Sequence, residues 1–375
     1  MKSAYILSIT ILMVSLFLVG VYIGSYKVFP YYILDDVKQI ILDEKIPIDN
    51  PNYSFSNQNG VKPVLSINNE IDIQEKRQIM MEFFWKSEEL PYTSFPTDIQ
   101  KNIVDEKFEK LINLQQIDKL TTEMEFGVNS ISYLFIPESF DKKLIIYHHG
   151  HDGGFENGKK TIQTFLNEGY HVLAFSMPLK GYNSQPEIID PTLGTIKLIN
   201  HNSLRFIESD TFSPTKFFFH PIFVSLNYLE QEFNFDSFHM VGISGGGWTT
   251  VLYSAIDERI SKSFPVAGTY PIFLRTDPQN FGDYEQTLPE LYRTVNYLEL
   301  YTMGSYGEGR SQLQIFNKYD PCCFSGNNHV HYEEIIKKKI DELNHGKFAI
   351  FSDDTHRKHQ ISENSLNQIL VEIRS

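Results

Sequence analysis

From about residue 120 onward, short apolar runs alternate with segments whose apolar residues recur at helical spacing. The predicted strands are residues 120–126, 130–136, 143–148, 171–175, 238–243, 260–267, 313–317 and 348–351, and the predicted helices are residues 159–167, 217–233, 246–256, 330–343 and 362–373. Strands that alternate with helices need crossover connections, so the pattern predicts an α/β fold with a mainly parallel sheet. Functional groups of such sheets collect at the carboxyl ends of the strands.

The first chemical motif is Gly242-Ile243-Ser244-Gly245-Gly246, between the strand 238–243 and the helix 246–256. A serine on so sharp a turn needs small neighbours, and it then projects its hydroxyl above the sheet as a nucleophile. The alternatives are a plain glycine-rich turn and a phosphate-binding loop. No lysine follows as in a Walker loop, and the G-x-G-x-x-G spacing does not fit.

The second motif, residues 149–154, follows the strand 143–148 and reads His-Gly-His-Asp-Gly-Gly. Acyl transfer builds negative charge on an oxygen that two backbone N–H groups can stabilise. We expect one from Gly245 and the other from Gly150 or His151. The alternative is a metal site, but the H-x-H-x-D-H spacing is missed by one residue, so neither a metal nor a cofactor is predicted.

The third element is a general base and the acid that orients it. Asp320 follows the strand 313–317, whereas His356 and His359 both follow the last strand. The order serine, acid, histidine fits strands at these positions. We expect His359 to be the base because it immediately precedes the final helix, and His356 stays open as the alternative.

These motifs give residues 120–373 a resemblance to the α/β-hydrolase family. Residues 242–268, GISGGGWTTVLYSAIDERISKSFPVAG, resemble the elbow, helix and strand of its esterase and acetyl-xylan-esterase-like members, including their Asp-Glu-Arg-Ile turn at residues 257–260. The resemblance implies an eight-stranded, mostly parallel core in residues 119–375. It also implies an ester-hydrolysing triad of Ser244, His359 and Asp320.

Two inserts, residues 178–214 and 269–309, interrupt this core, and we expect them to act as lids over the site. The second is rich in aromatic residues. Those rings either stack on sugars, line an acyl pocket or form the packed core of the lid.

The N-terminus carries an apolar run of about 21 residues behind Lys2, which predicts a signal-anchor in residues 1–25 that holds the catalytic domain outside the cytoplasm. A cleaved signal peptide, which would make the protein secreted, is the alternative. Residues 26–118 read as a partly helical extension, with helices predicted at 71–86 and 99–116.

The formal net charge of −14 excludes a nucleic-acid partner, which needs a basic surface. The two cysteines, Cys322 and Cys323, are adjacent and are predicted to be free thiols. Together the features predict a serine esterase or deacylase that acts on a small-molecule or carbohydrate-linked ester. A serine peptidase of the same fold and a catalytically inactive membrane-anchored binding protein are the alternatives.

Overall fold

A computed structural model describes residues 2–26, 65–86, 90–139 and 141–375. The chain divides into two units, residues 1–55 and residues 56–375. In the first unit, helix α1 (Lys2–Tyr26) exposes most of the apolar side chains described along it. Across the helices and side chains that the structure describes, no helical run is long and apolar enough to cross a membrane. The anchor predicted for residues 1–25 is therefore not supported, and residues 27–64 of the predicted extension lie outside the described residues.

The second unit is built on one large sheet. Its strands, with a separate hairpin of β6 and β7, are β1 (Asp98–Gln100), β2 (Leu114–Glu123), β3 (Asn129–Pro137), β4 (Lys143–His148), β5 (His171–Phe175), β6 (Glu187–Asp190), β7 (Gly194–Lys197), β8 (Ser237–Ile243), β9 (Ile260–Val266), β10 (Ser311–Asn317) and β11 (Lys347–Asp353). The order across the large sheet is β1-β2-β3-β5-β4-β8-β9-β10-β11. From β5 to β11 the neighbours are parallel, and β1, β2, β3 and β5 pair antiparallel.

Helices cover this sheet on both faces. In the described part of the second unit they are α2 (Glu70–Trp85), α3 (Lys159–Asn167), α4 (Lys216–Glu232), α5 (Gly245–Ile256), α6 (Pro289–Thr294), α7 (Tyr297–Ser305), α8 (Glu333–Leu343) and α9 (Glu363–Arg374). The central strands are buried along their length because helices shield both faces, which explains their continuous apolar runs. Two separate hydrophobic clusters fill the two sides.

The sequence predicted this architecture well, with one clear error before residue 118. The helix predicted at residues 71–86 is confirmed by α2. The helix predicted at residues 99–116 is wrong, since this segment forms β1, a short 3₁₀ turn at Glu106–Phe108 and the start of β2. Asn102 interrupts it with a positive φ of 56°, where its N–H donates to Asp118 Oδ1 at 2.8 Å. β1 thereby adds a ninth strand to the eight that the resemblance implied.

The two inserts have different structures. Residues 178–214 contain the hairpin of β6 and β7 and a 3₁₀ turn at His201–Ile207. Residues 269–309 contain α6 and α7, and most of their aromatic rings are buried in the hydrophobic core. Tyr292 and Tyr297, for example, stack at 4.6 Å between ring centroids. Of the three readings given to these rings, the packed lid core is the one that the structure favours.

Candidate active site

Ser244 occupies the turn between β8 and α5. Its backbone has φ 56° and ψ −123°, a region that a non-glycine residue enters only when the surroundings enforce it. The surroundings here are very tight. A Cβ at position 242 would lie 2.1 Å from the carbonyl oxygen of Gly246, and one at position 246 would lie 2.0 Å from that of His148. Both glycines are therefore required by contact with backbone, and they hold Ser244 half-buried at the carboxyl end of β8.

The loop after β4 packs directly on Ser244. A Cβ at Gly150 would lie 2.7 Å from Cβ of Ser244, so the backbone at this position touches the serine. On the other side of the turn, a Cβ at Gly245 would lie 2.3 Å from Cε1 of His151. Gly245 is the first residue of α5, where backbone N–H groups have no acceptor within the helix. The structure thus places Gly150, His151 and Gly245 around Ser244.

His359 and Asp320 come together at the ends of β11 and β10. Nδ1 of His359 lies 2.7 Å from Oδ2 of Asp320, whose side chain is fully buried. The other carboxyl oxygen of Asp320 accepts hydrogen bonds from the backbone N–H groups of Cys322, at 2.8 Å, and Cys323, at 3.3 Å. Nε2 of His359 is buried and makes no hydrogen bond to the residues described. The imidazole is therefore held at one nitrogen, with the other available to a proton donor.

His359 also lies within electrostatic reach of the loop beside Ser244. The nearby imidazole of His149 lowers the pKa of Asp152 although burial opposes this, and the charge of His359 acts in the same direction. Nε2 of His149 lies 3.0 Å from Oδ1 of Asp152. His359 follows β11 and Ser244 follows β8, and because β8, β9, β10 and β11 are parallel, both residues lie at the same edge of the sheet.

His356 makes different contacts. Its Nε2 lies 3.5 Å from Oδ2 of Asp353, and its Nδ1 accepts a hydrogen bond from the N–H of Lys358 at 3.1 Å. It has no contact with Asp320 among the bonds found in the described region. This geometry favours His359 over His356 as the partner of the acid, and the assignment of the base stays a prediction.

Asn317 is a site residue that the sequence analysis missed. This last residue of β10 donates from Nδ2 to Oδ2 of Asp320 at 3.2 Å and to the carbonyl oxygen of Gln360 at 3.0 Å. It therefore ties the loop that carries His359 to the turn that carries Asp320. Its position at a strand end was the available signal, but a single asparagine there is not distinctive.

Cys322 and Cys323 are joined by a disulfide. The prediction of two free thiols is therefore wrong. The bond lies in the turn that contacts Asp320, and the donors to Asp320 are backbone N–H groups and not sulfur atoms.

Two groups of side chains within the described residues have the composition of metal ligands. One consists of Cys322, Cys323 and His359, whose cysteines the disulfide occupies. The other consists of His151, His201, Asp283 and Glu285. We call the second group the insert cluster, because three of its members lie in the two inserts. The sequence analysis identified only His151 of these four.

Beneath the site, the end of β4 is firmly buried. Burial lowers the pKa of His148 to about 3, so this imidazole is neutral at physiological pH. The hydroxyl of Tyr147 lies 2.7 Å from Nδ1 of His149. These buried side chains support the loop, and the residues that follow them, from Gly150 onward, are the ones that lie next to Ser244.

Comparison with known proteins agrees with this architecture. No protein-family model matches the sequence, and no curated protein matches it. The structure is similar to an acetyl xylan esterase from a Paenibacillus species, with a TM-score of 0.53 and 14% identity over 85% of this chain and 99% of that one. An acetyl xylan esterase from a Thermoanaerobacterium species (TM-score 0.49, 13% identity, 84% and 98% of the two chains) and an esterase from Pyrococcus furiosus (0.49, 14%, 76% and 97%) are also similar. The likeness to the Paenibacillus structure agrees with the resemblance seen in the sequence, and the chain has the α/β-hydrolase fold.

Proposed function

We propose that this chain is a serine esterase in which Ser244 is the nucleophile, His359 the general base and Asp320 the acid that orients it. The observation that carries the proposal is the strained turn at Ser244, with Gly150 packed on it and a half-buried His359 paired with the buried Asp320 at the same end of the sheet. A non-glycine residue with this backbone conformation is strained, and the surrounding structure must enforce the strain. Presentation of the Ser244 hydroxyl to a substrate explains why the strain is kept.

The chemistry follows from these positions. Nε2 of His359 takes the proton of Ser244 as Oγ attacks the ester carbonyl carbon. Negative charge then develops on the carbonyl oxygen, and the N–H groups of Gly245 and of Gly150 or His151 donate to it. The imidazolium returns its proton to the leaving alcohol, and an acyl-enzyme remains. A water molecule, deprotonated by the same imidazole, attacks the acyl carbon, and the imidazolium gives its proton to Oγ of Ser244 as the acid leaves. Asp320 accepts the hydrogen bond from Nδ1 and so orients the ring and stabilises the imidazolium.

The substrate that we propose is a short acyl ester of a carbohydrate. This proposal is supported by the Paenibacillus protein, which is an acetyl xylan esterase and whose fold this chain shares. The formal charge of −14 is compatible with an uncharged substrate and disfavours a polyanionic one.

A fluorophosphonate probe tests the nucleophile. The probe should label the wild-type chain and should not label Ser244→Ala, and hydrolysis of p-nitrophenyl acetate should fall by about 10⁴-fold or more in that variant. Equal labelling of the two proteins would refute the serine mechanism. His359→Ala should lose activity to a similar extent, whereas His356→Ala serves as the matched control and should keep it. The reverse result would make His356 the base.

The substrate class needs a separate assay. We expect p-nitrophenyl esters and acetylated xylo-oligosaccharides to be cleaved, with rates that fall as the acyl chain lengthens. Cleavage of peptide anilides at rates comparable to those of the esters would favour a serine peptidase. Labelling without turnover of either class would favour a binding protein that has kept the scaffold.

The location outside the cytoplasm is proposed from the apolar N-terminal run alone. Fractionation of cells that express the full chain checks it. Recovery of the activity in the cytoplasmic fraction would contradict the proposal.

A further inference from the structure

The insert cluster joins three segments that are distant in the sequence. His151 follows β4, His201 begins a 3₁₀ turn in the first insert, and Asp283 and Glu285 come from the second insert. Their ligand atoms all lie within 4.8 Å of one another. Nε2 of His151 lies 3.0 Å from Oε1 of Glu285, 3.2 Å from Oδ2 of Asp283 and 3.1 Å from Nδ1 of His201. Two nitrogens and two carboxylate oxygens therefore converge on one point.

The position of the proton on the His201 ring bears on how these four side chains can be satisfied. Nε2 of His201 lies 3.0 Å from the carbonyl oxygen of Pro178, which only accepts, so Nε2 carries the proton. In the neutral ring the other nitrogen, Nδ1, then presents a lone pair. That lone pair faces Oε1 of Glu285 at 3.0 Å and Nε2 of His151 at 3.1 Å. Nε2 of His151 carries at most one proton, so one of these two facing acceptors is left without a full hydrogen bond unless a second proton or a cation lies among the atoms.

A backbone carbonyl bonded to the far nitrogen is the arrangement that fixes histidines as metal ligands. It sets the tautomer and leaves the near nitrogen available to a cation. His201 is fully buried, so its ring is held in this orientation.

Glu285 gives a second, independent indication. Its side chain has no exposed surface, and its Oε2 is buried without a hydrogen-bond partner among the described residues. Leaving a carboxylate oxygen unpaired in the interior is costly unless a proton or a cation lies nearby. A cation held between the two inserts would satisfy this carboxylate and the lone pair of His201 together.

We propose that His151, His201, Asp283 and Glu285 form a binding site for a divalent transition metal of the Zn²⁺ type. Two imidazoles and two carboxylates are ligands that Zn²⁺ accepts, and four protein ligands are typical of a structural site with no open position for substrate. The ion would tie both inserts to the loop that packs on Ser244. It takes no part in the ester chemistry, and the site does not depend on the proposed function.

Metal content and affinity test the site directly. The full chain, purified without a histidine tag, is stripped with a chelator, dialysed against Zn²⁺ and analysed by inductively coupled plasma mass spectrometry and by calorimetric titration. We expect close to one Zn²⁺ per chain. Saturation at about 100 times the dissociation constant should raise the melting temperature by about 4 °C. Loss of a ligand should weaken binding by about 100-fold or more, since even outer-shell changes cost 10- to 100-fold.

The variants separate this site from other sources of binding. His151→Ala removes the one ligand of the cluster whose ring is partly exposed, and His201→Ala removes a buried one. Glu290→Gln changes an exposed acid of the same insert and should bind as the wild type does. His359→Ala should also keep the ion, which excludes the cysteine pair as its site. Ser244→Ala should keep the ion while losing esterase activity, so the two proposals fail separately.

Two results would overturn the proposal. One is a wild-type chain that holds no Zn²⁺ and shows no shift in melting temperature, which would mean that an extra proton and not a cation bridges the cluster. The other is equal affinity in His151→Ala, His201→Ala and Glu290→Gln. If a variant fails to fold by circular dichroism, Co²⁺ added to the wild-type chain decides. Visible absorption bands of a tetrahedral site support the proposal, and their absence refutes it.

Discussion

Replacing Asp353 by asparagine should destabilise the protein strongly and in a pH-dependent way. Asp353 ends β11 and is completely buried. Its Oδ1 accepts hydrogen bonds from the N–H of Thr355 at 3.0 Å and from the hydroxyl of Thr355 at 2.6 Å, and its Oδ2 accepts from the hydroxyls of Ser362 and of Ser365, the latter at 2.8 Å. This one carboxylate thus binds both ends of the loop that carries His359, because Thr355 begins the loop and Ser362 caps the N-terminus of α9.

The magnitude follows from those bonds. A hydrogen bond to a charged group contributes about 1.5–3 kcal/mol net. Asparagine keeps one acceptor oxygen for Thr355, and the serine hydroxyls can turn to accept from its amide, so part of the network survives. We therefore expect the free energy of unfolding to fall by about 3 kcal/mol. With a urea m-value of about 3 kcal/mol/M, the midpoint should move by about 1 M.

The pH dependence has a definite sign. Burial alone would raise the pKa of Asp353, but the hydrogen bonds from Ser362 and Thr355 outweigh it and hold the pKa well below its usual value. In the unfolded chain the pKa is about 3.9. A lowered folded pKa adds stability above the unfolded value, and this stability is lost as the pH falls through the folded one. The difference between wild type and Asp353→Asn should be equal at pH 7 and pH 5 and smaller at pH 3.5.

Urea titrations followed by circular dichroism at these three pH values measure the difference. Asp354→Asn is the matched control, because this neighbouring carboxylate is exposed, and it should leave the midpoint unchanged. A shift of the Asp353→Asn midpoint no larger than that of Asp354→Asn would refute the reasoning. So would a difference that grows as the pH falls.

Three further substitutions test the site and its support. Gly150→Ala should abolish most esterase activity while the chain still folds, because its Cβ would lie 2.7 Å from Cβ of Ser244; unchanged kcat/KM would contradict the close approach. Asp320→Asn should lower kcat by about 10³- to 10⁴-fold while the chain still folds, as expected where the acid orients the base. Arg77→Met should reduce the free energy of unfolding by about 2–4 kcal/mol, measured in urea, because the buried guanidinium donates to the carbonyl oxygen of Ala255 at 2.9 Å and so docks α2 on α5.

The sheet could be predicted from the sequence because each central strand has its own local pattern of apolar residues. Each is a short apolar run, and the loops or turns that follow three of them carry chemically distinctive residues: Ser244, Asp320 and His359. The segment 99–116 misled the prediction because its apolar spacing fits a helix, whereas its structure is set by pairing with β2, a partner that the local pattern does not reveal. Edge strands of this kind depend on long-range contacts.

The insert cluster was beyond sequence reasoning for a related reason. His151 is separated by 50 positions from His201 and by 134 from Glu285. No spacing rule connects them, since they meet only when two irregular inserts fold against the loop after β4. Residue types alone also give no sign that Oε2 of Glu285 lacks a hydrogen-bond partner among the described residues.

The aromatic residues of the second insert give these contacts their rigidity. Nε1 of Trp248 donates to the hydroxyl of Tyr292 at 2.8 Å, and that hydroxyl donates to the carbonyl oxygen of Glu285 at 2.8 Å. Trp248 lies one turn of α5 beyond Ser244, and the carboxylate of Glu285 faces His151, whose ring covers Gly245. These contacts therefore surround the N-terminus of α5, because they link Trp248 through Tyr292, Glu285 and His151 back to Gly245. Tyr292 and Tyr297 are buried and hydrogen-bonded, so they stabilise the insert and offer no surface on which a sugar could stack. Any recognition of a carbohydrate must therefore come from other residues at the mouth of the site.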